Sequence, residues 1–342
     1  MNYNVQAETK KCEGNQSMDI IKVLQEELKI RYQQAEAAVK LIDEGNTIPF
    51  IARYRKEVTG ALDDEVLRNL DERLRYLRNL EEKKEQVISS IREQEKLTPE
   101  LEAQIRAAMT QVAVDDLYRP YRPKRRTRAM IAKEKGLEPL ADLIALQQLK
   151  EPAERVAEDY VSEEKGVASA AEAVAGAKDI LAERISDNAQ YRSYIRKATI
   201  EQGMVTSSAK DEKEASVYEM YYNYAEPVRR CVGHRVLALN RGEKEKLLTV
   251  KIEAPEETIL GYLEKQTVLC DNPYTTPVLK EVVADSYSRL IAPAIEREVR
   301  GELTEKAEAG AIKVFGKNLE QLLMQPPIAG RVVLGWDPAF RT

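Results

Sequence analysis

Several kinds of chemistry are excluded by what this 342-residue chain has little of. It has three cysteines, Cys12, Cys231 and Cys270, far apart and with no C-x-x-C spacing, which argues against a disulfide framework or a zinc site. Its single histidine, His234, has no second imidazole with which to share a metal or a proton relay. Three Phe and one Trp against sixteen Tyr leave Leu, Ile, Val and Ala to build the core. No run of about twenty apolar residues is present and the first seventeen residues are polar, so a membrane span and a signal peptide are not expected. These absences predict a cytoplasmic protein with no metal, no cofactor, no membrane partner and no small-molecule substrate.

What remains is rich in Ala, Glu, Lys and Leu, the composition of helices. Residues 1–17 lack periodicity and read as a disordered leader. Ile20, Ile21, Leu24 and Leu28, then Ala35, Val39 and Ile42, recur at helical spacing, with Gly45 as a stop. From Asp63 the series Leu67, Leu70, Leu74, Leu77, Leu80, Val87 and Ile91 predicts one helix of about 29 residues, roughly 43 Å long. Thr98 and Pro99 predict an N-cap and first-turn proline for a returning helix. The leucine seam is expected to pack within the chain rather than against a partner coil.

Further helices are expected over 136–148, 153–164, 170–184 and 189–202. The tyrosines at 218, 221, 222 and 224 are expected to pack between helices in preference to stacking on bases. Leu247 to Ile252 reads as an isolated strand. A helical region from Thr276, divided or kinked at Pro293, leads into a second very long helix from Ile295 to Leu322. Arg331 to Asp337 has the apolar run of a buried strand. The fold class is therefore mainly α: an elongated multi-helix assembly with one or two short isolated strands.

Charge is unevenly placed. Tyr118 to Lys135 holds eight Lys or Arg and one Glu, a local +7, which leaves −12 on the rest of a chain whose net charge is −5. Within it, Tyr118 to Arg128 carries Arg119, Arg122, Lys124, Arg125, Arg126 and Arg128 with no acid. Two prolines keep the segment extended, and Tyr118 and Tyr121 are interleaved with the charges. Guanidinium forks match phosphate oxygens and tyrosine rings stack on unpaired bases, so this is a candidate nucleic-acid contact. The rival reading is that these cations bind the chain's own acidic helices. Arg53, Arg55 and Lys56 form a second, weaker candidate, for which salt bridging is favoured because Glu57 follows directly. Arg235, Arg241 and Glu243 are expected to form a polar network, and no catalytic residue is assigned.

Five stretches, TIPFIARYRKEVTGALDDEVL from Thr47, DLYRPYRPKRRTRAMIAKEKGLEPLA from Asp116, HRVLALNRGE from His234, IEREVRGELTEKAE from Ile295 and VVLGWDPAFRT from Val332, resemble the Tex family of bacterial transcription accessory proteins. The resemblance implies a helix-turn-helix-like N-terminal module, then a YqgF-type (ribonuclease-H-like) domain, a helix-hairpin-helix region and an RNA-binding OB-fold. On that basis the chain divides into the leader, a helical domain over 18–135, a second helical region over 136–275, a long helical connector over 276–328, and the truncated first strand of a YqgF-type domain over 329–342. Asp337 stands where related nucleases place a metal ligand, but two-metal chemistry needs several converging carboxylates, and Ala339 replaces the usual Gly.

The implied function is a non-catalytic scaffold of transcription that binds RNA or DNA, with RNA polymerase or the ribosome as further candidate partners. Two alternatives stay open. One is a protein–protein scaffold whose nucleic acid is bound by other domains, and the other a truncated nuclease or resolvase.

Overall fold

A computed structural model describes residues 18–211, 213, 215–326 and 329–336. The leader, Asp337 and Ala339 lie outside the described residues. The chain divides into two compact units, one of residues 1–127 with 187–190, the other of 128–186 with 191–342. The division thus falls at Thr127 rather than after Lys135. Its physical cause is that Ala129 and Ala132 are buried in the core of the second unit.

The first unit contains α1 (Ile20–Leu28), α2 (Tyr32–Asp43), α3 (Ile48–Tyr54), α4 (Asp64–Glu93), α5 (Pro99–Ala107) and α6 (Gln111–Tyr118). Helix α4 is the expected long helix. The Asp63 carboxylate accepts from the Val66 N–H at 2.8 Å, and Asp64 and Glu65 place negative charge at the positive end of the helix dipole. Its seam serves two cores in series. Leu67, Leu70, Leu74 and Leu77 close over Leu24, Ala35, Ala38 and Ile51, whereas Leu80, Val87, Ile88 and Ile91 close over Ile105 and Val114. Each buried leucine contributes about 1.5–3 kcal/mol, so intramolecular packing accounts for the whole seam. Thr98 caps α5 through the Leu101 N–H, with Pro99 in its first turn, and Thr110 caps α6 through the Ala113 N–H. Between α3 and α4 the chain reverses at Gly60, whose φ of +63° and Cβ-less approach to Gln34 and Arg31 admit no larger residue without strain.

The second unit is built from α7 (Arg128–Glu134), α8 (Glu138–Ala145), α9 (Ala153–Val156), α10 (Ala170–Ser186), α11 (Ala189–Gln202), α12 (Gly233–Lys244), α13 (Glu256–Thr267), α14 (Thr276–Asp285) and α15 (Ala292–Leu323) around one sheet. The strand expected to be isolated is not. It is β3 (Leu248–Glu253), paired antiparallel to β1 (Met204–Ala209), which also pairs antiparallel with β2 (Asn223–Pro227) in the order β2-β1-β3. A lone strand cannot satisfy its backbone, and the partners were hidden because Met204–Ala209 is half Ser and Thr and β2 lies inside the tyrosine-rich stretch. Tyr218 and Tyr221 are buried, as packing requires.

Before α15, residues Ser286–Ile291 form a π-helical turn, so Pro293 falls in the first turn of a new α-helix, where its missing N–H is harmless. Helix α15 buries Ile295, Val299 and Ala307, and beyond them Ile312, Phe315 and Leu322 are exposed. Arg331–Trp336 is irregular and exposed rather than a strand, since no described edge pairs with it. Among the described residues, no helix is long and apolar enough to cross a membrane.

Candidate nucleic-acid interface

The expected basic segment begins at the end of α6, and its two tyrosines are partly committed to the core beneath. The Tyr118 hydroxyl lies 2.9 Å from Ser90 Oγ on α4, and Tyr118 and Tyr121 both pack on the second of the α4 cores. Gln94 Nε2 donates to the Tyr121 carbonyl at 3.0 Å. These contacts hold the chain against α4 just as it turns into the run of prolines and cations.

The cations themselves separate into two groups. Asp187, whose side chain is only 12% exposed, lies between Arg119 Nε at 3.3 Å and the Lys124 ammonium, which it binds directly. One carboxylate thereby neutralises part of the segment, as the rival reading required. Arg122, Arg125 and Arg126 are exposed, and Arg122 and Arg125 have no carboxylate partner among the described residues. Arg128 is exposed too, but it opens α7 and so belongs to the second unit.

Arg53, Arg55 and Lys56 depart from expectation in the opposite direction. They are exposed at the end of α3 and in the turn after it, and the ion pair expected with Glu57 does not form among the described residues. The reason is local geometry. Arg55 turns back to donate to the Tyr54 carbonyl at 3.1 Å and lies 5.2 Å from the centre of the Phe50 ring. Tyr54, which sequence reasoning did not select, is 65% exposed beside these cations. Its signal was legible in principle: it is flanked by arginines at the end of an amphipathic turn whose buried residue is Ile51.

Both cationic surfaces are carried by α4. Helix α3 packs with Leu67–Leu77, and the basic segment is fixed at Ser90. At 1.5 Å per residue this places them roughly 20–35 Å apart along the helix.

Elsewhere arginine is structural. In the first unit Arg78 forms two bonds to Asp43, at 2.7 and 2.8 Å, and holds that carboxyl below its usual pKa. Arg106 joins Glu85 and Glu102, and Arg73 joins Glu27. In the second unit Arg192, fully buried, and Arg196 share Glu298, and Arg300 binds Glu243 and Asn240. The expected network around His234–Glu243 is therefore real but differs in membership. Arg235 pairs with Glu226 at 2.6 Å and Glu243 with Arg300 on α15, and no bond joins Arg241 to either. Burial first, then the Glu226 carboxylate, pushes the nearby Cys231 thiol up to about 11, so it stays protonated at neutral pH. Among the described residues no three His, Cys, Asp or Glu side chains converge to hold a metal ion.

A mainly helical protein with two outward-facing cationic surfaces on one long helix is thus the class that fold and site define. A family profile described as "Tex-like protein N-terminal domain" matches residues 18–92, and one described as "Tex central region-like" matches 148–315. The chain is 49% identical to the Bacillus subtilis protein YdcI over 319 residues, covering 92% of this chain and 44% of that protein. It is 38% identical to the transcriptional accessory protein Tex of Neisseria gonorrhoeae over 331 residues, covering 95% and 43%. It is 30% identical to S1 RNA-binding domain-containing protein 1 of Pongo abelii over 351 residues, covering 97% and 34%. The chain belongs to the Tex family, and it spans less than half the length of the curated relatives it matches.

Proposed function

We propose that this chain is the helical scaffold of a cytoplasmic transcription accessory protein and that it grips nucleic acid through phosphates, without catalysing a reaction. The observation that carries this reading is the division among its cations. Most arginines on the helices are bound to carboxylates, whereas Arg122, Arg125, Arg53, Arg55 and Lys56 are exposed and have no carboxylate partner among the described residues. Exposed guanidinium groups repel one another unless a polyanion covers them, and phosphate oxygens are the acceptors they fit bidentately. Tyr54 supplies an exposed aromatic ring beside Arg53 and Arg55 for stacking on a base, with Tyr118 and Tyr121 serving to hold the basic segment in place. The names of two relatives, one a transcriptional accessory protein and one an S1 RNA-binding domain protein, support the same reading.

The test is fluorescence anisotropy of a single-stranded RNA oligonucleotide against the whole chain over a salt series. Contact by five cations predicts a slope of log K on log salt near −3.5, at about −0.7 per phosphate neutralised. Absence of salt-dependent binding by both RNA and DNA overturns the reading. A second reading, a scaffold for other proteins, is favoured by the exposed Ile312, Phe315 and Leu322 of α15. That reading gains if this chain fails to bind nucleic acid while a full-length relative succeeds.

A further inference from the structure

The second unit contains a half-open cavity of about 490 Å³ that is far from neutral. Its floor is apolar, formed by Ile195 of α11, Ile252 of β3, and Ala292 and Ile295 of α15. Its rim carries three carboxylates, Glu253, Glu256 and Glu296, and none of them has a Lys or Arg partner among the described residues. Two are partly accounted for by the fold: Glu296 accepts from the Ile252 N–H at 3.0 Å, and Glu253 accepts from Thr206 Oγ1 at 3.2 Å. Each of those carboxylates keeps an oxygen free of described hydrogen bonds. Glu256 stands in the first turn of α13, where the helix dipole favours its charge, and makes no side-chain bond.

An acidic rim alone would be an ordinary solvated surface. A second, independent feature is Tyr287. It is 5% exposed, lines this cavity, and its hydroxyl has no hydrogen-bond partner among the described residues. Its ring is buried while the hydroxyl keeps contact with the open space of the cavity, so its lone pairs are available to a donor that enters there. Burial, and secondarily the Glu256 carboxylate, raise its pKa, so the hydroxyl remains protonated with its lone pairs open. Tyr287 also sits on the π-helical turn Ser286–Ile291, a distortion frequent at functional sites.

The absence, among the described residues, of a point where three acids converge narrows what kind of cation fits. They do not converge to hold one metal ion, so the complementary ligand carries several positive centres joined by an apolar stem. We propose that this cavity binds a linear polyamine, with ammonium groups on Glu253, Glu256 and Glu296, one ammonium N–H donated to Tyr287 Oη, and the methylene chain on the Ile195, Ile252 and Ile295 floor. The volume lies within the usual range for small-ligand sites, roughly 300–1,000 Å³. The site lies within the second unit and does not depend on nucleic-acid binding.

Isothermal titration calorimetry with spermidine, on the whole chain at low ionic strength, tests it. Saturable one-to-one binding is expected. Glu253→Gln with Glu256→Gln weakens it by about tenfold or more, as loss of charge-assisted contacts requires, and Tyr287→Phe weakens it by roughly threefold to tenfold. Both acids are exposed, so that double variant folds even if Tyr287→Phe does not. Glu308→Gln, an exposed change on α15 away from the cavity, leaves the affinity unchanged. 1,8-Octanediol, a stem without charge, shows no binding. Absence of saturable spermidine binding, or equal weakening by Glu308→Gln and by the double variant, overturns the proposal. So does tighter binding of N-acetyl-lysine methylamide, which would assign the cavity to a lysine side chain of a protein.

Discussion

The arginines where α11 meets α15 and those on the turn after α6 have the same side chain and opposite uses. Arg192 is buried with its charge satisfied by Glu298, which Arg196 also binds, so the guanidinium groups hold two helices at a fixed separation. Arg122 and Arg125 are exposed with no carboxylate partner among the described residues, fixed only through the backbone by the packing of Tyr118 and Tyr121. Burial decides the difference. A buried cation must have a partner inside the protein, and an exposed one exchanges water for whichever anion arrives.

The largest effect expected from that contrast is at Arg192. Arg192→Ala should destabilise the second unit by about 3–5 kcal/mol, because it strips a partner from a buried pair and leaves a void. Urea denaturation followed by circular dichroism measures this. Arg192→Met, which fills the volume, should cost distinctly less, and an equal loss in both variants would assign the effect to charge alone. RNA affinity at 25 °C should not change in either variant that folds.

Next in size is the reverse experiment. Arg122→Ser with Arg125→Ser should leave the unfolding midpoint within about 0.5 kcal/mol of the parent, as surface changes do. The same variant should lower the salt slope of RNA binding by about 1.4. If it unfolds early while binding normally, the two sets of arginines have been assigned the wrong way round. A smaller effect is expected from Arg53→Ser with Lys56→Ser, which empties the surface at the other end of α4. If one strand spans both surfaces, short oligonucleotides should be insensitive to this pair and longer ones sensitive, since roughly 20–35 Å separates the two. Anisotropy measured with oligonucleotides of increasing length reads this directly.

The smallest effect concerns pH. The hydrogen bond from Arg300 holds the Glu243 carboxyl below its ordinary value of 4.5. Because the folded-state pKa is the lower one, the pair's contribution is complete above the unfolded value and disappears as pH falls through the folded value. Glu243→Gln should therefore lower the urea midpoint most at pH 7, where the pair's contribution is complete, and flatten the acid limb below pH 4.5, where the parent loses that contribution too. A steeper acid limb in the variant would contradict the assignment.

Much of the helical framework was readable from residue order alone. The leucines of α4 recur at three and four residues, and the caps at Asp63, Thr98 and Thr110 act on N–H groups three residues ahead, so both signals are local. The sheet was only partly readable because β1 pairs with strands on both sides and carries little apolar alternation of its own. The candidate site was legible as composition but not as electrostatics. The segment at 118–128 announces its charge, yet the residue that neutralises Arg119 and Lys124 is Asp187, far along the chain. Conversely, the adjacency of Glu57 to Lys56 suggested a pair that the turn does not form.

Periodicity, capping residues and charge density were the province of the sequence by itself: they determined that the protein is helical and where its two longest helices run, while five matching stretches of sequence carried the resemblance to its family. The tertiary structure alone decided which cations are neutralised, which strands meet, and where an unpaired tyrosine faces three carboxylates. The physical reason is range. Helical hydrogen bonds and caps join residues within about four positions, whereas Coulombic pairing, sheet registry and cavities depend on residues that only folding brings together.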